Sequence, residues 1–192
     1  MLLVVRHGQT AANAAGQLLG RADPPLTPLG EQQAAALAAA VGPVDLVLSS
    51  PLARARQTAG AFGAAVEVDE RWTELDYGDF DNLAPGELPA GTWERWRVDA
   101  DYTPPGGESL AALGRRVRAA CDDVASRAAD GDVVVVSHVS PIKAATAWAL
   151  GVGDQVAWRM FVGLASITRI AVGERGPLLR SFNEVAHLGH TL

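Results

Sequence analysis

The sequence has very little cysteine, few aromatic residues and no long hydrophobic run. Cys121 is the only cysteine, so an intrachain disulfide framework and a zinc site built from several cysteines are excluded. The apolar run at residues 2–5 is too short for the hydrophobic region of a signal peptide or for a membrane span. We therefore expect a cytoplasmic protein with no membrane partner, in which Cys121 is a small core side chain.

An excess of positive charge is also missing. The chain has 16 Lys and Arg against 22 Asp and Glu, a formal net charge of −6. This balance argues against a nucleic-acid partner, and any anion site must therefore be local. The 192 residues contain no repeat, low-complexity linker or break in composition. We expect one domain over residues 1–192, with the oligomeric state left open and a homodimer among the options.

Alternating strand and helix signals predict an α/β fold. Three apolar runs, residues 2–5, 46–48 and 133–136, indicate strands that are buried on both faces. Thr27 and Ser50 each precede a proline and are expected to cap the following helices. Further elements are expected as helices at about 29–41, 52–62, 108–129 and 142–150, a peripheral strand at 65–69, and a hairpin over 167–172 and 178–182.

The helix expected over residues 108–129 is amphipathic. Its apolar positions recur at spacings of three and four residues, as expected for one face of a long helix. The opposite face is expected to be solvated and carries Arg115, Arg116, Arg118 and Asp122.

Basic and imidazole side chains follow the three buried strands. Arg6 and His7 come directly after the first, Arg54 shortly after the second, and His138 after the last. Parallel strands with right-handed crossovers would bring these ends to one edge of the sheet. A single histidine after a strand is more often a packed or surface residue, but two arginines and two histidines converging on one cleft favour a phosphate site.

The same residues indicate a reaction. Neighbouring arginines disfavour the protonated imidazole, and a neutral imidazole is a nucleophile that could form a phosphohistidine intermediate. The departing alcohol then needs a proton from a carboxyl group. Four candidates lie in the irregular region that follows: Glu74, Asp76, Asp79 and Asp81. Glu74 is the best placed of them, because it comes directly after a strand-like stretch.

Six segments together resemble the histidine phosphatase superfamily, the phosphoglycerate mutase-like proteins. The similarity covers nearly the whole chain and includes Leu-Val-Val-Arg-His-Gly-Gln-Thr at residues 3–10. The other segments are residues 26–30, 49–59, 74–80, 105–109 and 135–138. The resemblance implies a three-layer α/β/α sandwich with a mostly parallel, mixed central sheet.

The resemblance also implies a role for each matching residue. His7 is the phosphorylated nucleophile, and Glu74 is the proton donor and later the base. The phosphoryl group is bound by Arg6, Arg54 and His138, and the pocket is lined by Asn13, Gly20 and Val139. The family's chemistry implies neither a metal nor a cofactor. Asn82 and the pair Val139-Ser140 stand where family members often have glycine.

We expect hydrolysis of small phosphomonoesters, because the chain is too short to supply the extra segments with which the classical mutases enclose a bisphosphorylated ligand. Alternatives are mutase-type phosphoryl transfer and, because residues 137–143 resemble actinobacterial relatives of α-ribazole phosphatases, hydrolysis of α-ribazole 5′-phosphate in cobalamin synthesis. A catalytically idle phosphoester-binding module would require neither His7 nor Glu74. A metal site at His187 and His190 rests on a single H-x-x-H pattern.

Substrate selection is expected within residues 82–102. Trp93, Trp96 and Tyr102 could form an apolar wall for the substrate, or a small core beneath an insertion.

Overall fold

A computed structural model of the protein describes residues 1–189, which contain one six-stranded sheet. The strands are β1 (Leu2–Arg6), β2 (Leu46–Ser49), β3 (Val66–Val68), β4 (Val133–Ser137), β5 (Ile167–Gly173) and β6 (Gly176–Glu184). Their order in the sheet is β3-β2-β4-β1-β5-β6. The first four strands run parallel, whereas β5 is antiparallel to β1 and β6 to β5. The prediction of a mostly parallel, mixed sheet is confirmed.

Helices cover both faces of the sheet. They are α1 (Ala11–Ala14), α2 (Pro28–Val41), α3 (Ala53–Gly60), α4 (Thr92–Val98), α5 (Leu110–Asp130) and α6 (Val139–Leu150). Short 3₁₀ turns lie at Glu70–Trp72, Gly78–Phe80, Pro85–Glu87, Asp154–Arg159 and Ala186–Leu188. Within residues 1–189, every helix is too short or too polar to cross a bilayer.

The central strands alternate their side chains between two apolar cores. In β1, Leu2 and Val4 pack with α5 and α6, whereas Leu3 and Val5 pack with α2 and α3. Successive side chains of a strand point to opposite faces, so an unbroken apolar run is what a sheet covered on both sides requires. This packing is the physical basis of the three-layer sandwich expected from the sequence.

The helix starts differ in how well the sequence predicted them. Thr27 caps α2 as expected, because its Oγ1 accepts a hydrogen bond from Gly30 N at 3.1 Å. Ser50 does not cap α3: the helix begins at Ala53, whose N–H donates to Asp23 Oδ1 at 2.7 Å. Helix α6 begins at Val139, three residues earlier than expected, which places His138 at its cap position.

The expectation of a solvated outer face on α5 is wrong for Arg116. Its guanidinium group donates to the carbonyl oxygens of Arg71 at 2.6 Å and Glu74 at 3.2 Å, and pairs with Glu108 at 2.8 Å. The irregular segment after residue 70 covers this side of the helix, and helical periodicity carries no signal for such a contact. Arg116 therefore holds the backbone on which Glu74 is mounted.

The carboxyl ends of the central strands lie side by side. Arg6 is in register with Ser137, and Ser49 with Val136. The chain leaving β1 packs closely against α2, since a Cβ on Gly8 would lie 2.3 Å from the carbonyl oxygen of Gly30. The Gly8 N–H donates to Thr58 Oγ1 of α3 at 3.1 Å. Both contacts fix the backbone next to His7.

Candidate active site

The structure brings the five predicted catalytic side chains together at the edge of the sheet where the parallel strands have their carboxyl ends. The rings of His7 and His138 are 5.0 Å apart between centroids, and Arg54 Nε is 3.3 Å from His138 Nδ1. Glu74 accepts a hydrogen bond from the N–H of Ser140, two residues after His138. Four of the five are at most 3% exposed, and Arg6 is partly buried. Such burial of polar groups is typical of a preorganised site.

His7 has a defined tautomer in its neutral form. Its Nδ1 is 2.7 Å from the carbonyl oxygen of Gly8, which can only accept a hydrogen bond, so Nδ1 carries the proton. The lone pair is then on Nε2. Burial lowers the pKa of His7 well below its ordinary value, and the charges of Arg6 and Arg54 lower it further. His7 is therefore held as a neutral imidazole with a nucleophilic Nε2.

His138 has the opposite tautomer. Its Nδ1 accepts the hydrogen bond from Arg54 Nε, so the proton is on Nε2, which donates to Ser50 Oγ at 2.7 Å. Burial, followed by the charges of His7 and Arg54, lowers the pKa of His138 well below its ordinary value. In this arrangement both ring nitrogens bond to protein groups, and His138 orients the guanidinium of Arg54.

Arg54 is fully buried and held by backbone oxygens. Its Nη1 donates to Ala22 O at 2.7 Å and its Nη2 to Gly20 O at 2.9 Å. With Nε bonded to His138, each terminal nitrogen keeps one further N–H for a ligand. Burial lowers the pKa of Arg54, and the carboxylate of Glu74 is the largest opposing influence. Gly20, predicted as a pocket residue, thus acts here through its carbonyl group.

Arg6 supplies the second guanidinium. Its Nη1 donates to Val162 O at 2.8 Å, while its buried Nε has no acceptor among residues 1–189. Burial lowers the pKa of Arg6 to about 10, with Glu74 again opposing the effect. A guanidinium remains charged at neutral pH under these conditions. The two arginines together form a cationic cradle that fits the oxygens of a phosphoryl group.

The four candidate carboxylates separate clearly by environment. Glu74 is buried, and its Oε1 accepts hydrogen bonds from Leu75 N at 2.7 Å and Ser140 N at 3.1 Å. Asp76 accepts from Gly78 N and lies 3.6 Å from Arg21, and Asp79 is exposed. Asp81 accepts from the N–H groups of Gly20 and Ala22, at 2.7 Å each. Only Glu74 of these four adjoins the histidine cluster.

Asn13 has a local bonding pattern. Its Oδ1 accepts hydrogen bonds from the backbone N–H and the hydroxyl of Thr10, at 3.1 and 3.0 Å, in a capping box at the start of α1. Within residues 1–189 it makes no hydrogen bond to the histidine cluster. Its assignment to the pocket stays a prediction.

Asn82 stands where family members often have glycine, and its φ of +67° lies in the left-handed region of backbone conformation. Asparagine tolerates this region better than most residues, so the backbone conformation does not require glycine. Its N–H donates to Leu18 O at 2.8 Å, which joins the segment after Phe80 to the loop before α2.

A cavity of about 200 Å³ lies beside Glu74. Trp93 and Trp96 line it in a stacked pair with centroids 5.7 Å apart, as does Trp158. Val139 also lines it, whereas Tyr102 packs edge-on against Trp96 from outside. The remaining lining residues are Leu18, Leu75, Tyr77, Leu110, Ser140, Lys143 and Ala157.

Three positioning residues escaped the sequence-based assignment: Ser50, which bonds His138; Asp81, which holds the loop that binds Arg54; and Arg116, which supports Glu74. The contact by which each one supports the site spans at least 42 residues of the chain, so no local pattern marks it. Of the proposed metal pair, His190 lies outside the described residues. His187 Nε2 is 3.0 Å from the carbonyl oxygen of Ala165.

Known proteins with similar sequences and structures include several that are named as phosphatases or phosphoglycerate mutases. A bifunctional protein of Mycobacterium tuberculosis is 38% identical over 177 residues, which cover 87% of this chain and 49% of that protein. The chain thus spans about half the length of this relative. A probable phosphoglycerate mutase of Yersinia enterocolitica is 32% identical over 208 residues, covering 97% of this chain and 94% of the relative.

A solved structure extends the similarity to the whole fold. The phosphoserine phosphatase of Entamoeba histolytica, solved as a point mutant in complex with phosphoserine, superposes with a TM-score of 0.90 at 28% identity. The match covers 97% of this chain and 98% of that one. The model of the histidine phosphatase superfamily (branch 1) matches residues 2–185, which contain the entire histidine and arginine cluster. The chain therefore belongs to the histidine phosphatase superfamily, branch 1.

Proposed function

We propose that the protein hydrolyses small phosphomonoesters through a phosphohistidine intermediate on His7. The observation that carries this proposal is the bonding of the His7 ring. Because Nδ1–H is committed to the Gly8 carbonyl, the lone pair is on Nε2, and the charges of Arg6 and Arg54 help to keep the ring neutral. An anion-binding module would need the guanidinium groups but not a neutral imidazole held in one tautomer.

The reaction divides into two displacements at phosphorus. His7 Nε2 attacks the phosphorus atom, the bond to the ester oxygen breaks, and the departing alkoxide takes a proton from the carboxyl group of Glu74. Arg6 and Arg54 neutralise the charge on the phosphoryl oxygens in both steps. Water then gives a proton back to Glu74 and attacks phosphorus, which breaks the P–N bond and releases inorganic phosphate and neutral His7.

Phosphoryl transfer to a second substrate is the main alternative, and the Yersinia relative named as a probable mutase supports it. The difference lies in the acceptor that reaches phospho-His7. Incubation with 3-phosphoglycerate distinguishes the two, because hydrolysis releases phosphate, whereas a mutase isomerises the substrate without net release. p-Nitrophenyl phosphate and α-ribazole 5′-phosphate in the same panel test broad specificity and the cobalamin-pathway alternative.

Quenching with alkaline detergent after mixing with ³²P-labelled substrate, followed by acid or base treatment of the labelled protein, tests the intermediate. We expect an acid-labile, base-stable phosphoprotein in the wild type and none in His7→Ala, whose turnover falls about 10³-fold or more. His187→Gln is the matched control, because this histidine binds a backbone carbonyl outside the cluster. Turnover by His7→Ala at the wild-type rate contradicts the proposal.

A further inference from the structure

Lys143 is the only lysine in the chain, and it lines the cavity beside Glu74. It lies on α6 three residues after Ser140, so the two side chains occupy the same face of the helix. Ser140 is the residue whose N–H holds the Glu74 carboxylate. Lys143 thus lies about one helical turn along α6 from the residue that bonds Glu74, and its side chain lines the cavity.

The ammonium group of Lys143 lacks a partner. In residues 1–189 it makes no hydrogen bond or ion pair, whereas Arg116 and Arg118 on neighbouring α5 each pair with a carboxylate at 2.8 and 2.7 Å. It is only partly exposed, and most of the surrounding lining is apolar. A cation in such surroundings normally pairs, because removing it from water is costly.

Two more donors in the cavity wall are unsatisfied. The indole N–H groups of Trp96 and Trp158 are buried and have no acceptor among the described residues. Buried N–H groups in native proteins nearly always have a partner. These two N–H groups are enclosed in the wall, whereas the ammonium of Lys143 is partly exposed at the cavity, so Lys143 is the donor that a ligand in this apolar space would pair with.

The electrostatics of the neighbourhood agree with this placement. Burial lowers the pKa of Lys143, while the nearby carboxylate of Glu74 raises it and Arg6 lowers it. Lys143 is therefore within electrostatic range of the catalytic groups without bonding to them. The cavity volume of about 200 Å³ exceeds the roughly 150 Å³ that suffices to bind benzene in an apolar protein cavity.

We propose that this cavity is the leaving-group subsite and that Lys143 makes the enzyme selective for phosphomonoesters whose alcohol combines an aromatic or similarly apolar body with a second anionic group. The tryptophans contact the body, and Lys143 pairs with the anion, which is a carboxylate or a second phosphate. This inference rests on the proposed hydrolysis and adds to it the chemical class of the alcohol.

Matched aryl phosphates test the selectivity. The pairs are 3- and 4-carboxyphenyl phosphate, each against the neutral carbamoyl compound with the same ring position and nearly the same shape. The quantity measured is the ratio of kcat/KM for the carboxylate to kcat/KM for the carboxamide, because this ratio cancels any general change in catalytic power. A 4-(phosphonomethyl)phenyl phosphate, compared in the same way with the neutral 4-(carbamoylmethyl)phenyl phosphate, replaces the carboxylate by a phosphate-like anion and shows which anion is preferred.

We expect the ratio for the preferred anion to fall about 10-fold or more in Lys143→Met, mainly through KM, and to recover partly in Lys143→Arg. Arg175→Met is the control for the loss of one positive charge, since Arg175 is exposed in the turn between β5 and β6. Ratios for all anions that are equal in wild type and Lys143→Met overturn the inference. Failure of the proposed function looks different, because the wild type would then release phosphate from none of the compounds.

Discussion

The two halves of the site differ in how their polar groups are satisfied. In the phosphate cradle, the side chains of His7, Arg54 and His138 all bond to other protein groups. In the adjoining cavity, Lys143 and the indoles of Trp96 and Trp158 have no acceptor within the described chain. Apart from Arg6 Nε, the cradle is thus assembled before any ligand arrives, whereas the ammonium of Lys143 at the cavity depends on a ligand for a partner.

This difference separates the part of the site that carries out the reaction from the part that selects the substrate. A prebuilt cradle stabilises charge at phosphorus without reorganisation during the reaction, for any monoester that enters. A cavity with an unpaired cation discriminates among alcohols, because an alcohol that lacks an anionic group leaves the cation unpaired. Substitutions in the cradle should therefore lower activity on all substrates, and substitutions in the cavity should alter their ranking.

Glu74→Gln gives the largest expected effect and tests the boundary between the two halves. The amide keeps the size of the side chain but cannot donate a carboxyl proton to the leaving oxygen. We expect kcat/KM for an alkyl phosphate to fall by about 10²–10⁴-fold. The loss for p-nitrophenyl phosphate should be much smaller, because nitrophenolate leaves readily without a proton.

The matched control is Asp79→Asn, which removes an exposed carboxylate five residues away and should leave both rates unchanged. Equal losses for the alkyl and nitrophenyl esters in Glu74→Gln would show that Glu74 only shapes the site. Its assignment as proton donor would then be wrong.

A change in pH sharpens the comparison because it tests whether the cradle holds its two histidines neutral. Burial depresses the pKa of both His7 and His138, so below about pH 6.5 the unfolded chain binds protons that the folded protein does not. The free energy of unfolding is therefore greatest above this pH. As pH falls below it, we expect losses of up to about 1.4 kcal/mol per pH unit for each histidine.

Urea unfolding between pH 7.5 and 5.5 measures this slope. His7→Asn and His138→Asn should each remove their own part of it. If neither variant changes the slope, these histidines are not buried as neutral groups.

The sequence predicted the cradle far better than the cavity, for a physical reason. Arg6, His7 and His138 follow unbroken apolar strands, and parallel pairing forces such strand ends together whatever the details of packing. Ser50 was misassigned as a helix cap, because its bond to His138 spans 88 residues and leaves no periodic trace. Family resemblance singled out Glu74 from four carboxylates, and its burial next to Ser140 now supports that choice.

The cavity combines residues from six separate segments, so helical or strand periodicity could not predict it. Trp93 and Trp96 were expected either as a substrate wall or as a small core. Trp158 lies on the 3₁₀ turn at Asp154–Arg159, more than 50 residues away from both. Its edge contacts with Trp93 and Trp96, at 6.1 and 6.0 Å between centroids, complete the aromatic wall. Only tertiary packing shows that these rings enclose a space.

Trp93→Ala gives the smallest expected effect and decides between the two interpretations of the aromatic cluster. Trp96 is 1% exposed, whereas Trp93 is only partly buried, so the variant removes an accessible part of the wall. A stacked or edge-on aromatic contact contributes about 0.5–1.5 kcal/mol, so we expect kcat/KM for aryl phosphates to fall about 3- to 10-fold. Activity on a small alkyl phosphate should change less than about 2-fold, and Trp93→Phe should restore most of the aryl activity.

Equal losses for aryl and alkyl substrates, together with a lower free energy of unfolding, would instead identify the tryptophans as a core that supports the loop. The leaving group would then be selected elsewhere, because a ring that packs only against protein cannot distinguish one alcohol from another.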